Sequence, residues 1–230
     1  MSTLIQALEA KANPQKALLA QRFFKTGPGQ YGAHDVFWGI TNPEVREIAR
    51  HFRHLSSPEL ATYLQHPVHE VRLAVLLIAV YKAKKEPEAM FQLYVNHLDL
   101  INNWDLVDVS VASLVGAYLW DKDRSILDEW ACTDHLWTQR SALVATLYFI
   151  RKDDYRDLFR LGDLLLHHPH DLIHKALGWM LREAWKRKGG RAVEAFIRQH
   201  YANLPRTALR YAIEKMPEDQ RQQYLKGQFS

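Results

Sequence analysis

The five residues Arg72-Leu73-Ala74-Val75-Leu76 have counterparts at three later places in the chain. The counterparts are Arg140-Ser141-Ala142-Leu143-Val144, His174-Lys175-Ala176-Leu177-Gly178 and Arg206-Thr207-Ala208-Leu209-Arg210. Their central alanines are 68, 34 and 32 residues apart, which fits two repeats, one repeat and one slightly shortened repeat. A period near 34 therefore predicts a further member at position 108, where the chain has Asp108.

Helical periodicity recurs along the whole chain, and no segment shows the convincing alternation of a β-strand. Two-helix units of this length predict an all-α fold, an α-solenoid of HEAT-like helical repeats with a concave basic face. The Trp, Leu-Gly and Tyr pattern of tetratricopeptide repeats is absent. Because no linker separates domains, we expect a single HEAT-like repeat domain over residues 1–230.

Local signals divide the chain into short helices. Asn42-Pro43-Glu44 and Ser57-Pro58-Glu59 each place a capping residue before a proline and an acid, which predicts helix N-termini at Asn42 and Ser57. The stretch Thr26-Gly27-Pro28-Gly29-Gln30-Tyr31-Gly32 has three glycines and one proline, which predicts a loop.

Bulk properties limit the class of protein. The chain has 230 residues, one cysteine (Cys132) and a net charge of +4, with a pI of about 9.1. A single cysteine excludes an internal disulfide and suits a reducing compartment. No secretion signal is evident, and the longest apolar run, residues 73–81, is far too short for a bilayer. We therefore expect a cytoplasmic monomer with no membrane contact.

Asp108 is the first candidate functional residue. If the helix that begins near Trp104 continues through Tyr118, residues 104, 108, 111 and 115 share a face, and the adjacent row of residues 107, 111, 114 and 118 is apolar. Asp108 then lies at the edge of a buried surface beside an indole, where its charge needs compensation. One interpretation is a helix cap or an Asp paired with an Arg; the other is a negative charge prepared for a cationic ligand or transition state.

Basic residues recur at the positions before the repeated alanines. These residues are Arg72, Arg140, Lys175 and Arg206. In a solenoid, residues at equivalent positions of successive repeats line up along one surface, so these four cations would form a row, here called the ladder. Lys175, Trp179, Arg182 and Lys186 also share one helical stripe. Cations around one Trp favour a phosphate-binding surface, and the alternative is an ordinary solvated face.

Other known site patterns are weak or absent. His170 and His174 have the spacing of a helical metal pair, but no Cys and no His-Glu-x-x-His motif accompanies them. The sequence has no Gly-rich phosphate loop, no Gly-x-Ser-x-Gly elbow and no cysteine nucleophile motif. We therefore expect neither a metal nor a cofactor.

Three separated segments resemble one known family in order and spacing. The segments are Asn103-Trp104-Asp105-Leu106-Val107-Asp108, Leu136-Trp137-Thr138-Gln139-Arg140 and Lys175-Ala176-Leu177-Gly178-Trp179-Met180-Leu181-Arg182-Glu183. They resemble the AlkD family of HEAT-like-repeat DNA glycosylases, and residues 23–27 and 37–40 extend the resemblance. It implies excision of positively charged N3- and N7-alkylated purines from duplex DNA in base excision repair, without metal or redox cofactor.

The resemblance also implies roles for individual residues. By position, Asp108 matches the catalytic carboxylate, and Trp104 and Trp179 match its two aromatic walls. Arg140 and Arg182 match the DNA-contacting arginines. We expect DNA contacts from a further set, namely Lys175, Arg72, Arg206, Lys186 and Thr41. The chain departs from the family at two positions, Phe23 in place of a Tyr and Thr41 in place of a polar amide, and these departures affect substrate preference and DNA affinity.

Three classes of function remain open from the sequence. The favoured one is a DNA-alkylpurine glycosylase that would be cytoplasmic and associated with the nucleoid when bound to DNA containing alkylated purines. The second is a noncatalytic HEAT-repeat protein that binds DNA structures with a salt-dependent affinity. The third is a HEAT-type protein scaffold, for which loss of the positive charges of Lys175 and Arg182 would leave DNA affinity unchanged.

Overall fold

A computed structural model describes residues 3–228, and these form two compact units that divide between Tyr118 and Leu119. The all-α prediction is confirmed, because the described residues form helices joined by turns, with one isolated β-bridge between Val36 and Val68. No helix between residues 3 and 228 is long and apolar enough to cross a membrane. The single domain over residues 1–230 stays a prediction.

In the first unit, residues 3–118 form seven α-helices. They are α1 (Leu4–Glu9), α2 (Pro14–Phe23), α3 (Asn42–His51), α4 (Ser57–Leu64), α5 (His69–Lys82), α6 (Pro87–Val95) and α7 (Trp104–Val111). A 3₁₀-helix, Leu98–Leu100, precedes α7. Helix α5 is the centre of this unit: its residues 69–79 are all buried, and it packs against α3, α4, α6 and α7.

The described part of the second unit, up to residue 228, forms another seven α-helices. They are α8 (Ile126–Ala131), α9 (Leu136–Ile150), α10 (Arg156–Leu164), α11 (Asp171–Trp185), α12 (Gly190–His200), α13 (Arg206–Ala212) and α14 (Glu218–Lys226). Helix α9 is buried along most of its length, and α11 packs against α9, α10, α12 and α13.

The predicted repeat is confirmed in the positions of the helices. Helices α5, α7, α9, α11 and α13 begin at residues 69, 104, 136, 171 and 206, so successive starts differ by 32 to 35 residues. The four repeated alanines, at positions 74, 142, 176 and 208, are all 0% exposed. A small residue at this phase lets neighbouring helices approach closely. The concave basic face, which would extend over both units, stays a prediction.

In α7 the buried small residue of the repeat is not at the expected position 108. Ser110 is the fully buried small residue of this helix, and its hydroxyl donates to the Leu106 carbonyl. Asp108 is partly exposed and does not take the alanine position. The α-helix also stops at Val111, before a π-helical segment, Ala112–Gly116, in which the Ala117 amide donates to the Ala112 carbonyl at 3.0 Å. Trp104 and Asp108 therefore lie at the edge of the surface, while Val111 is in the core.

The segment from Phe24 to Thr41 has irregular backbone, so it is longer than the loop predicted over residues 26–32. The Glu70 carboxylate, at the start of α5, accepts hydrogen bonds from the amides of Trp38, Gly39 and Ile40 at 3.1, 2.7 and 3.1 Å. Gly39 has a φ of +78°, which side chains rarely adopt, and a Cβ there would collide with α2 backbone. One buried carboxylate therefore attaches this segment to α5.

The helix starts predicted near Pro43 and Pro58 are correct within one residue. The capping residues are Thr41 and Ser56 rather than Asn42 and Ser57. The Thr41 hydroxyl donates to the Glu44 carboxylate at 2.6 Å, and Ser56 does the same to Glu59. Thr41, for which we expected DNA binding, thus has a structural role at the start of α3.

Gly178 determines how closely α11 and α13 pack. A Cβ at this position would collide with the Ala208 carbonyl oxygen and with the Tyr211 side chain. The motif residue before Trp179 is therefore a glycine because the backbone of the next repeat lies against it.

We expect Gly178→Ala to destabilise the second unit. Alanine in a helix is favoured over glycine by at most about 1 kcal/mol, whereas separating α11 from α13 costs up to about 3 kcal/mol. The net loss of about 2 kcal/mol lowers the melting temperature by roughly 4 to 8 °C, measured by circular dichroism. Gly190→Ala is the control, because a Cβ there makes only ordinary contacts, and it should not lower the melting temperature.

Candidate functional site

Helix α7 holds the two residues of the first unit for which the sequence predicted a catalytic role, Trp104 and Asp108. Asn103, which is fully buried, caps the helix by accepting the Trp104 amide proton at 2.9 Å. Trp104 is the first helical residue, and Asp108 lies one turn later on the same face. Both side chains are partly exposed. A carboxylate and an indole are thus presented together at the surface of this unit.

Trp104 lies at the end of a series of stacked rings. Its indole stacks on Phe24 at 5.4 Å, Phe24 stacks on Phe37 at 4.9 Å, and Phe37 stacks on His69 at 4.6 Å between ring centroids. Phe23, which is 63% exposed, contacts the Trp104 ring edge at 5.7 Å. Side chains from the irregular segment and from α5 therefore fix the orientation of the indole.

A buried charge network lies beneath these rings. The His69 ring bonds through Nε2 to Asp105 at 2.8 Å and through Nδ1 to Asp35 at 3.2 Å. Arg72 bonds to the other oxygen of Asp35 at 2.5 Å. All four side chains are at most 7% exposed. Two carboxylates and two cations thus balance in the interior, where a lone charge would be strongly unfavourable.

The protonation states follow from these contacts. Although burial lowers the pKa of a histidine, Asp105 and Asp35 together raise the pKa of His69 to about 9. Burial also acts to raise the pKa of Asp35, but the bond to His69 and the charge of Arg72 hold it at about 2. At neutral pH His69 is therefore an imidazolium and donates from both nitrogens.

Two asparagines connect the network to α7. Asn102 donates to Asp35 at 2.8 Å and accepts from Arg72 at 3.1 Å. Asn103, besides capping α7, donates to the second Asp35 oxygen at 3.3 Å. The carboxylate of Asp35 is thus a common acceptor for the irregular segment, α5 and the residues that enter α7.

The position of Arg72 corrects one expectation. We expected this residue on a DNA-facing ladder, but it is 5% exposed. Its guanidinium donates to the carbonyls of His66 and Pro67 as well as to Asp35 and Asn102. Arg72 therefore supports the interior of the first unit, since its carboxylate partner is buried there.

The second unit holds the other predicted site residues. Trp179 is partly exposed in α11, which also contains Lys175 and Arg182 and is followed by its C-cap residue Lys186. Each of these three cations has an acidic neighbour: Lys175 pairs with Asp171 at 2.8 Å, Lys186 with Glu183 at 2.7 Å, and Arg182 with both Glu183 and Glu214. A phosphate would have to compete with these carboxylates for the three cations.

Arg140 and Arg206 differ in their surroundings. Arg140 is 4% exposed, and its guanidinium donates to the Leu172 carbonyl at 2.6 Å, which joins α9 to the first turn of α11. Arg206 is exposed at the start of α13 and donates to the Leu225 carbonyl at 3.0 Å. Only Arg206 of these two has the exposed position that the predicted ladder required.

The histidines before α11 bond to each other and to the backbone. His168 bonds to the Gln139 side chain at 2.8 Å, and the His170 and Leu172 amides donate to ring nitrogens of His168 and His170. Burial lowers the pKa of both rings. Among residues 3–228, no group of three or more His, Cys, Asp or Glu side chains is arranged to hold a metal.

Sequence reasoning missed three members of the charge network: Asp35, His69 and Asp105. Asp105 lies inside the motif around Trp104, but we assigned a role only to Asp108. His69 is separated from Asp35 and Asp105 by 34 and 36 residues, and no local pattern associates residues so far apart. Asp105 and His69 both lie in the first turn of a helix, where polar residues commonly serve as helix caps, so their positions gave no sign of a charge network.

The chain is similar to a family of known sequences and to solved structures. The sequence model of a family described as DNA alkylation repair enzymes matches residues 4–216. A solved structure described as a predicted DNA alkylation repair enzyme from Enterococcus faecalis is similar, with a TM-score of 0.74 and 19% identity over 90% of this chain and 98% of that chain. AlkD2 from Streptococcus mutans is similar with a TM-score of 0.53 and 16% identity over 89% of this chain and 98% of its own. No curated protein matches the chain.

The charge network predicts how stability depends on pH. The pKa of His69 is raised from 6.5 to about 9 on folding, so its contribution is complete below pH 6.5 and is lost as the pH rises through 9. The pKa of Asp35 is lowered from 3.8 to about 2, so its contribution is lost only as the pH falls through that range. We expect His69→Gln to destabilise the protein by about 3 kcal/mol at pH 6 and by much less at pH 9.5.

Thermal denaturation from pH 5.5 to 9.5 measures this difference. His97→Gln is the matched control, because the bond described for the His97 ring is to the Leu93 carbonyl rather than to a charged group, and we expect the same effect at pH 6 and at pH 9.5. A constant difference between wild type and His69→Gln over this range would show that folding does not shift the pKa of His69.

Proposed function

Because the chain belongs to the family of DNA alkylation repair enzymes, we propose that it is a DNA glycosylase that excises cationic N3- and N7-alkylated purines, such as 3-methyladenine and 7-methylguanine, from double-stranded DNA. Membership in this family confirms the resemblance found in the sequence. The observation that most supports the glycosylase activity is the partly exposed Asp108 carboxylate, one helical turn from the stacked indole of Trp104.

The chemistry requires little beyond a well-placed negative charge. An alkylated purine is positively charged and leaves with its bonding electrons, so no general acid has to protonate it. The deoxyribose that remains develops oxocarbenium character, which a preorganised carboxylate stabilises. In this proposal Asp108 provides that charge and also aligns the attacking water or accepts its proton.

The indoles stabilise the same positive charge. The face of a Trp ring attracts a cation with about 0.5 to 2 kcal/mol, depending on how much water is excluded. Trp104, whose ring is held by Phe24 and Phe37, keeps its orientation during the reaction. Trp179 is proposed as the second aromatic wall.

DNA binding is proposed for the cations of the second unit. Lys175, Arg182, Lys186 and Arg206 are at least partly exposed, and phosphate contacts from such residues give most of the affinity of a protein for DNA. Arg140 is proposed to act from its buried position, by holding the first turn of α11 through Leu172. We also propose that the protein acts as a monomer, in the cytoplasm and at the nucleoid.

Asp108→Asn tests the catalytic role. The amide keeps the size of the side chain and removes its charge, so release of base from methylated duplex DNA should fall by about 10²- to 10³-fold, while the Kd for DNA should change less than threefold. Asp99→Asn, a change at an exposed aspartate of the same unit, should leave release unchanged. Release of base by Asp108→Asn at the wild-type rate would show that this carboxylate has no catalytic role.

The same assay separates the enzyme from a noncatalytic DNA binder. A wild-type protein that binds methylated duplex DNA but releases base only at the spontaneous rate would be a DNA-structure-binding protein, and the glycosylase proposal would then be wrong.

Lys175→Gln combined with Arg182→Gln tests the DNA surface. Loss of two phosphate contacts should reduce the slope of log Kobs against log salt concentration by about 2, measured by fluorescence anisotropy with duplex DNA. Lys122→Gln with Arg221→Gln is the matched control, because both of these cations are also paired with an acidic neighbour in the second unit. Equal slopes for the two double variants would exclude the α11 cations from the DNA interface.

A further inference from the structure

We propose that buried His69 is a positioning residue for catalysis, which holds the first turn of α7 so that Trp104 and Asp108 keep the direction in which they meet the deoxyribose. The role in catalysis rests on the proposed glycosylase function, but the positioning of Trp104 does not. His69 itself is 1% exposed and is therefore buried too deeply to touch a substrate at the surface.

The ring joins three segments that are distant in sequence. Asp35 belongs to the irregular segment after α2, His69 is the first residue of α5, and Asp105 is the second residue of α7. The two ring nitrogens bond to the two carboxylates at 3.2 and 2.8 Å. An imidazolium in this place therefore fixes the distance between the start of α5 and the start of α7.

His69 is connected to Trp104 by two routes. The first runs through Asp105, which follows Trp104 in the chain and also accepts the Leu106 amide proton through its other oxygen at 2.9 Å. The second runs through the stacked rings of Phe37 and Phe24. Backbone and indole of Trp104 are thus both restrained from the same buried ring.

The charges of the network require a cation at this position. Asp35 is shared with Arg72 and two asparagines, whereas the bonds described for the Asp105 side chain are those to His69 and to the Leu106 amide. Glu70, the next residue of α5, accepts from the amides of residues 38–40. Removal of the imidazolium leaves Asp105 as a buried carboxylate without its cation, and this cost is relieved when the first turn of α7 moves toward water.

Such a movement matters for catalysis because the rate depends steeply on geometry. A displacement of about 1 Å of a positioned group can reduce a rate about 100-fold without a change in binding. The phosphate-binding cations proposed above lie in the other unit. Loss of His69 should therefore reduce the rate of base release and leave the affinity for DNA nearly unchanged.

The test compares wild type, His69→Gln and the control His97→Gln. Single-turnover base release and the Kd for methylated duplex DNA are measured at a temperature where circular dichroism shows all three to be folded. We expect release by His69→Gln to fall 10- to 100-fold, the Kd to change less than threefold, and the control to match wild type. Release at the wild-type rate by folded His69→Gln would overturn the catalytic role.

A second readout does not depend on base release. The seven tryptophans are labelled with 5-fluorotryptophan, and the ¹⁹F resonance of Trp104 is assigned by its loss in Trp104→Phe. We expect His69→Gln to shift or broaden this resonance more than that of any other tryptophan. An unchanged Trp104 resonance would overturn the positioning role, even if the wild-type protein proved to have no glycosylase activity.

Asp105→Asn keeps the proposal falsifiable if His69→Gln does not fold. The amide retains a hydrogen-bond acceptor for His69 and removes one charge of the network. It should reduce base release less than His69→Gln would and shift the Trp104 resonance in the same direction. Wild-type release together with an unchanged resonance in folded Asp105→Asn would overturn the proposal.

Discussion

The first unit depends on one interaction, the His69 imidazolium held between the carboxylates of Asp35 and Asp105. Burial of each of these charges alone would cost several kcal/mol, and the four-residue set with Arg72 is tolerated because the charges balance and nearly every polar atom has a partner. The balance has a structural consequence. Any movement of the irregular segment, of α5 or of α7 separates opposite charges in a medium of low dielectric, so the three segments are fixed relative to one another.

Rigid support of this kind suits the chemistry proposed for Asp108. A carboxylate stabilises a developing positive charge best when its position needs no rearrangement during the reaction. Asp108 lies on the partly exposed side of α7, and the buried side of the same helix is held by Val107, Val111 and the capping residue Asn103. The interior residues therefore provide the geometry, and the surface residues provide the charge and the aromatic faces.

The second unit differs in how it uses charge. The cations of α11 and its C-cap are partly or fully exposed and are paired with carboxylates of α11 and of the segment after α13. Exposed pairs of this type contribute little to stability, about 0 to 1 kcal/mol each, so their carboxylates can be exchanged for phosphates at small cost. The close contact of α11 with α13 at Gly178, in contrast, is set by packing and does not adapt.

Sequence alone determined the helical class, the period of the repeat, the helix starts near Pro43 and Pro58 within one residue, and the family. These features depend on local preferences and on spacing along the chain, which a single sequence displays directly. Tertiary structure decided which charged residues are buried. Arg72 and Arg140 share the sequence phase of an exposed ladder, yet both lie in the interior, and Asp35, His69 and Asp105 meet across more than 30 residues of chain. A charge is stable in the interior only beside its counter-charge, and whether two distant residues become neighbours depends on how the helices pack, which the local pattern of neither residue contains.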